Sequence, residues 1–463
     1  MDTFEENKSG KEKKTRLRER ERERDEGRRG DGVPFFPYVL QKCRWVSLHS
    51  QRSLRSACYF ATSEVSLRSV GNSFLFPSQE TQSSVILKRG ERVRIKEKER
   101  KKKKNRNRNK TMRPITLMGH ERPLTQVKYN RDGDLIFTCS KDNQASVWFS
   151  ANGERLGTLD GHAGTIWSID VDQFTKYCVT GSADYSIQVW EVRTGKAIYT
   201  WDLPVPVKCV EFSSCGNYIV SVLDSVMGYP GSVNVYEIKR DEKDHTAVEF
   251  VAEPIFTIET EKDKELAPVC VAGWSIGSKY IIVGHKDGAV SKYEVNLKDH
   301  TYRYVESIRL HSQAVSDIQF SPDRTYFITS SRDATAHLVD VESFKVLKNY
   351  DADCHLNCAC ITPLKDFVIL GGGQAAKDVT TTSASEGKFE ARFYHKIFED
   401  EIGRVKGHFG PLNCVAVSPQ GTSYTSGGED GFVRLHHFEK SYFDFKYDVE
   451  KVAEAKEHMA SSN

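Results

Sequence analysis

The chain has 463 residues, of which 38% are apolar, with a mean hydropathy of −0.54 and a formal net charge of +3. No run of 18 or more apolar residues occurs, so no helical membrane span is expected. Eleven scattered cysteines without paired spacing, and no secretory leader, point to reduced thiols inside the cell. The net charge is a cancellation. Residues 1–111 carry 30 Lys and Arg against 15 Asp and Glu, a net of +15, while residues 112–463 carry 37 against 49, a net of −12. A globular part at −12 makes a poor general binder of nucleic acid.

Residues 1–111 read as a low-complexity basic extension. The runs 11–30 and 91–110 are densely charged and cannot bury enough apolar surface to offset chain ordering. The stretch 33–87 holds Phe35, Phe36, Trp45 and Phe74 in a Ser-rich context with no period. Three readings stand here. Lys101–Lys104 suit a basic arm that touches RNA or directs the chain to the nucleus. An organelle transit peptide fits the Arg and Ser content but not the acidic residues Asp2, Glu5, Glu6, Glu12, Glu19, Glu21, Glu23, Asp25 and Glu26. The abrupt change in character at Met112 suggests instead that the working protein starts there.

From Met112 the pattern changes to short strands. Gly119-His120, the alternating runs TQVKYN and DLIFTCS, then Asp142 and Trp148 form one unit. Gly161-His162, WSIDV, YCVTGS, Asp184 and Trp190 form the next, with both His and Asp displaced by 42 residues. Period-2 alternation bounded by turn residues reads as strands. A GH…W unit repeating every ~40–45 residues is the mark of a four-stranded propeller blade. Blade three (VKCVEFSS, CGNYIVSVL, SVNVYEI) lacks the GH and the Trp. Blade four has Asp287 and Tyr293 at the Asp and Trp positions. Blade five has His311, Asp333 and Val339. Blade six is irregular, with a long polar insertion. Blade seven opens at Gly407-His408 and carries Asp430 and His436. The expectation is an all-β, seven-bladed WD40 β-propeller over 112–440, preceded by the disordered basic extension and followed by a tail, 441–463, with a short helix. The segment Arg113–Leu117 lacks a partner in blade one and is expected to close the ring as the outer strand of blade seven.

The repeated polar residues read as blade-holding tetrads: His120, Ser140, Asp142 and Trp148, then His162, Ser182, Asp184 and Trp190. Blade five keeps His311, Ser331 and Asp333, and blade seven His408 and Asp430, with Gly428 at the hydroxyl position. Such groups can satisfy one another in a chain of hydrogen bonds. They resemble a nucleophilic triad, but a catalytic site is not copied around a ring. Gly371-Gly372-Gly373 followed by Lys377 lacks phosphate-loop spacing and reads as a turn in blade six. Cys354, His355, Cys358 and Cys360 lack two spaced ligand pairs; alternation puts Cys358 and Cys360 on one strand face. No catalytic residue, metal set or cofactor is expected. Asp378–Gly387 reads as an exposed, hydroxyl-rich flexible insertion, with phosphorylation as the rival reading. In the tail, Asp448 is a fair N-cap for a helix bearing Val449, Val452, Ala453 and Met459, and Tyr442, Phe443, Phe445 and Tyr447 are expected to pack under blade seven, the rival being a partner contact.

The stretches 112–142, 152–171 and above all 369–438, which contains ILGGGQAAKDVTTTSASEGKFEARFYHKIF, are similar to subunit i of eukaryotic translation initiation factor three. The resemblance covers essentially all of 112–463 and has no counterpart for residues 1–111. It implies a cytoplasmic propeller that joins the factor through its scaffold subunit b and subunit g. It also implies association with the small ribosomal subunit through the complex, during initiation and scanning. The reading is a non-catalytic docking platform, with no membrane contact and no specific nucleic-acid contact by the propeller. Asp323 in SPDRT and Asp340 in LVDV, which follows the Trp-less Val339, are the candidate partner contacts. The rivals are a basic-armed RNA-binding protein, a WD-repeat signalling adaptor and, last, an enzyme.

Overall fold

A computed structural model describes residues 114–447 apart from 227, 242, 260–265 and 375–387. The extension 1–111, the loop Asp378–Gly387 and the helix expected after Asp448 lie outside the described residues. Seven antiparallel sheets follow one another along the chain, at 124–159, 166–202, 207–258, 269–309, 315–351, 356–406 and 412–437. The first strand of each sheet touches those of the sheets before and after it, so these seven strands line a central channel. The seventh sheet is completed by Ile115–Leu117, which pairs antiparallel with Val433–His437, Leu117 opposite Val433. The ring is thus closed by the segment expected to close it. Closure leaves blade seven no bare third-strand edge. On the inner side, Asn413 Nδ2 donates to the Leu124 carbonyl at 2.9 Å across the same seam.

Each inner strand carries a bulge at the same place, between Leu124 and Gln126 in blade one and at the corresponding pair in the other six. A bulge leaves one residue unpaired and increases local twist. The unpaired residues include Thr125, whose hydroxyl donates to Ile166 O at 2.6 Å, and Asn357, whose amide donates to Leu412 O at 2.9 Å. Bulges therefore free side chains to tie neighbouring blades together.

Apolar residues face the gaps between blades. Leu117, Leu124, Val127, Ile136, Trp148, Cys414, Val433 and Leu435 form one buried cluster between blades seven and one. Trp190 and Cys178 of blade two pack with Phe137 and Val147 of blade one. Blade three differs from the rest: its long third strand, Ser232–Arg240, pairs with Phe256–Ile258 at one end and Ala247–Phe250 at the other. The extra hairpin is anchored by a buried ion pair, Arg240 to Asp172 at 2.6 Å, with side chains 3% and 0% exposed.

The lower face, where first and second strands join, repeats one turn seven times. Asn130, Asp172, Ser213, Ser275, Ser321, Thr362 and Ser418 each donate their amide to a carbonyl five residues on. In the first six, the side-chain oxygen of the same residue accepts that later residue's N–H. Asx and hydroxyl side chains favour such turns for this reason. The helix Lys440–Phe443 follows blade seven. Tyr442 stacks on Phe438 at 3.9 Å and meets Phe367 edge-on at 5.4 Å; Phe445 also reaches Phe367 and Tyr447 reaches His395. The tail aromatics thus pack beneath blades six and seven. Among the described residues, no helix is long and apolar enough to cross a membrane.

Candidate docking surfaces

The upper face, where second and third strands join, carries the repeated polar groups. In blade two, His162 Nδ1 lies 2.8 Å from Asp184 and Nε2 lies 2.7 Å from Thr180 Oγ1, which also accepts the Trp190 indole N–H at 2.8 Å. Blade one repeats this with His120, Asp142, Thr138 and Trp148 at 2.9, 2.8 and 2.9 Å. In blade five, His311 meets Asp333 at 3.2 Å and Thr329 at 2.9 Å, and Val339 stands where the indole would be. In blade seven, His408 meets Asp430 at 3.1 Å and Ser426 at 2.8 Å, and Arg434 joins the carboxylate at 3.0 Å. In blades one, two and five the carboxylate only accepts, so Nδ1 carries the proton and Nε2 accepts from the hydroxyl; in blade seven Arg434 Nη1, a donor only, lies 2.6 Å from His408 Nδ1, so there Nδ1 accepts and Nε2 donates to Ser426.

The hydroxyls expected in these groups are corrected. Ser140, Ser182 and Ser331 sit two residues beyond the ones that touch the ring. Ser140 Oγ donates to Arg122 O at 3.1 Å, Ser182 Oγ to Gly164 O at 3.1 Å and Ser331 Oγ to Ala314 O at 2.9 Å. Each also accepts the amide of the Asp two residues on. They clamp the incoming loop, whereas the ring partners point from the strand interior. In blade seven Gly428 replaces the clamp, because a Cβ there would lie 2.6 Å from His408 Nδ1.

These carboxylates gain more from their donors than they lose by burial. Burial raises Asp184, but hydrogen bonds from His162 and Ser186 hold it well below the usual range; Asp142, Asp333 and Asp430 shift the same way. Burial pushes His311 down to about 4, and it does the same to His436, which stacks flat on Tyr424 at the blade-seven Trp position. The rings of His120, His162, His311 and His408 are buried and hydrogen-bonded within their own blades, so the geometry holds the loops.

Asp323 and Asp340 share the lower edge of blade five. Asp340 is opposite Tyr326 in the strand register, and Asp323 lies in the turn leading into Tyr326. Asp323 accepts Ser321 Oγ at 2.5 Å and Thr325 Oγ1 at 2.8 Å; Asp340 accepts the Ser343 amide and hydroxyl, both at 2.7 Å. Turn hydroxyls and amides, rather than a cation, hold both carboxylates. Phe344, buried against Phe327, packs beside Val339 in the core of this blade. Glu342, with its side chain 70% exposed, adds a third carboxylate to this edge and binds Lys279 at 3.1 Å. The sequence offered no periodic signal for it.

The channel was also missed. Lys128 of blade one, Asp170 of blade two, Glu211 of blade three and Asp317 of blade five interact across it. Burial lowers Lys128, yet the three carboxylates raise it overall; Asp170 is pushed up to about 6, by burial first. Arg324 bridges from the lower turn of blade five to Glu211 at 2.9 Å and Trp274 O at 2.7 Å. Cys358 and Cys360 are buried two residues apart on one inner strand. Among the described residues, the His355 ring contacts Arg332 O. Gly371 and Gly372 end the strand Phe367–Gly372 instead of forming a turn, and a Cβ at Gly372 would strike His355 O. The nine cysteines among the described residues are free thiols.

The EIF3I family model matches residues 112–448. Eukaryotic translation initiation factor 3 subunit I of Vanderwaltozyma polyspora is 71% identical over 352 residues, 76% of this chain and 100% of its own length. The protein of the same name from Saccharomyces cerevisiae is 69% identical over the same spans. That from Candida albicans is 57% identical, over 74% of this chain and 98% of its own length. A seven-bladed ring with this similarity along its whole circumference belongs to the eukaryotic translation initiation factor 3 subunit I family.

Proposed function

We propose that this chain is a non-catalytic docking subunit of translation initiation factor 3. In this reading it works in the cytoplasm, helping to assemble the initiation complex on the small ribosomal subunit and to sustain scanning. Its direct partners are the scaffold subunit b and subunit g. The observation that carries the reading is the extent of the family match, which spans every blade. The physical features agree with it. A closed ring of seven sheets presents rigid loops to several partners at once. The His–carboxylate groups, which could have suggested chemistry, are engaged in holding those loops.

Asp323 and Asp340 are the contact we assign to a basic residue of the scaffold subunit. Charge pairing there gives orientation and on-rate. Asp323→Lys with Asp340→Lys abolishes co-purification of subunit b, and Asp323→Asn with Asp340→Asn, which keeps the turn acceptors, weakens it less. Unchanged recovery of subunit b with the Lys pair places the contact elsewhere. Residues 1–111 lie outside the family match, and we take the native protein to begin at Met112. Peptides from 1–111 in mass spectra of the native protein would overturn that.

A further inference from the structure

The lower edge of blade six leaves apolar side chains uncovered. Leu364, in the turn between its first two strands, is 61% exposed, and it lies against Gly421 of blade seven. Ile397 and Phe398, in the turn between its last two strands, are 48% and 39% exposed. Phe445, which has crossed over from blade seven, adds a fourth at 38%. Short contacts join them into one surface. Lys365 Nζ donates to the Phe445 carbonyl at 3.2 Å, Phe445 meets Tyr447 edge-on at 5.7 Å, and Tyr447 meets Phe398 at 5.0 Å. The turn bearing Ile397 and Phe398 is held from inside. Both of their amides donate to His395 Nδ1 at 3.2 Å, and the Tyr350 hydroxyl of blade five donates to the Lys396 carbonyl at 2.8 Å. Single apolar residues at a surface are ordinary, whereas a joined set marks a face that something covers.

The chain itself supplies an occupant. The described residues reach Tyr447 with its ring on Phe398 and, at 4.7 Å, on His395, so the segment that follows starts at this surface. That segment, 448–463, reads DVEKVAEAKEHMASSN. At helical spacing Val449, Val452, Ala453 and Met459 fall within roughly 120° of the circumference, the width of a core-facing stripe. Glu450, Lys451, Glu454 and Glu457 fall outside it. Lys456 falls inside, where its aliphatic stem can cover apolar surface with the ammonium in water. A helix over 449–459 is about 16 Å long, against about 14 Å across the four strands of a blade edge. A helix this short is marginal alone in water, so its order depends on an apolar surface to lie on.

We propose that residues 448–459 dock as an amphipathic helix on the lower edge of blade six, with the Val449, Val452, Ala453 and Met459 stripe against Leu364, Ile397 and Phe398. The docked segment continues the packing begun by Tyr442 on Phe367 and straps blade seven, where the ring closes, to blade six. It concerns blade six alone and does not rest on the partner contact assigned to blade five.

Hydrogen exchange of the full chain, read by mass spectrometry, tests this, with a synthetic 448–463 peptide as the unprotected reference. Amides of 449–459 exchange about tenfold or more slowly in the chain than in the peptide. Val452→Glu, in the segment, and Ile397→Glu or Phe398→Glu, on the ring, each return them to the peptide rate, while all three chains melt as the unaltered one does. Val248→Glu, at an exposed site on the blade-three hairpin, leaves the protection unchanged. Peptide-like exchange in the unaltered chain overturns the proposal. So does protection that survives both ring substitutions, which would show a helix lying elsewhere. Protection that grows with chain concentration would show a second copy covering the surface and overturn it equally.

Discussion

Replacing Thr180 by Val keeps the shape of a buried strand residue and removes one oxygen. That oxygen accepts the Trp190 N–H at 2.8 Å and donates to His162 Nε2 at 2.7 Å. Trp190 is 1% exposed and the His162 side chain 0%, so neither orphaned group reaches water. Each buried group left unsatisfied costs ~1–3 kcal/mol, so the substitution costs roughly 3–4 kcal/mol after the added methyl contributes a little. Ser182→Ala is the matched control. Its hydroxyl is buried, but it donates to Gly164 O at 3.1 Å and accepts the Asp184 amide at 3.2 Å, and both of those residues are partly exposed and can turn to water, so its loss costs ~1 kcal/mol. At ~2.1 cal/mol/K per residue the ring's unfolding entropy is ~0.7 kcal/mol/K, so Thr180→Val lowers Tm by about 5 °C and Ser182→Ala by about 1–2 °C. Scanning calorimetry on both variants reads the difference. Equal shifts, or a larger shift for Ser182→Ala, would refute the assignment of the hydroxyl and of the chain that runs from indole to carboxylate.

Acid should destabilise the ring well before the blade carboxylates Asp142, Asp184, Asp333 and Asp430 protonate. His311 and His436 sit near 4 in the fold against 6.5 when free, so their stabilising share is complete above 6.5 and declines as pH falls toward 4. By linkage the two together remove roughly 3–4 kcal/mol between pH 7 and pH 5, His285 and His408, also lowered by burial, add to the loss, and His436→Phe removes about 2 kcal/mol of it in denaturant titrations. Below about pH 4 a second decline follows as Asp142, Asp184, Asp333 and Asp430, all lowered in the fold, take up protons. Arg240→Met leaves Asp172 buried without its cation and costs ~3–5 kcal/mol, visible as a lower denaturant midpoint. Leu117→Ala, in the closing strand at 2% exposure, costs ~2–5 kcal/mol and raises aggregation on heating through the uncovered edge of blade seven; light scattering reads it.

The architecture was legible because blades repeat. A 42-residue displacement of His and Asp between the first two units, and period-2 runs between turns, suffice to place all seven sheets and the closing strand. The ring hydroxyl was harder to see. Ser140 and Ser182 sit two residues before an Asp in a visible loop motif, while Thr138 and Thr180 are inside strands where alternation reads them as one more β-branched residue. Their signal was a constant offset: 18 residues after the His in all four blades, Ser426 included. Lys128, Asp170, Glu211 and Asp317 were invisible for another reason. Their spacing along each strand marks them as the polar face, and only the closed ring turns that face into a channel. Glu342 belongs to a tertiary edge that no local pattern encodes.

The account stands most directly on the binding of this propeller to its complex. Titration of the purified chain against purified subunit b of initiation factor 3, followed by light scattering of the mixture, measures it. The account predicts a saturable one-to-one complex that the Asp323→Lys, Asp340→Lys chain fails to form although it melts as a folded ring. Two components that elute separately at every ratio, with the unaltered propeller fully folded, would contradict it.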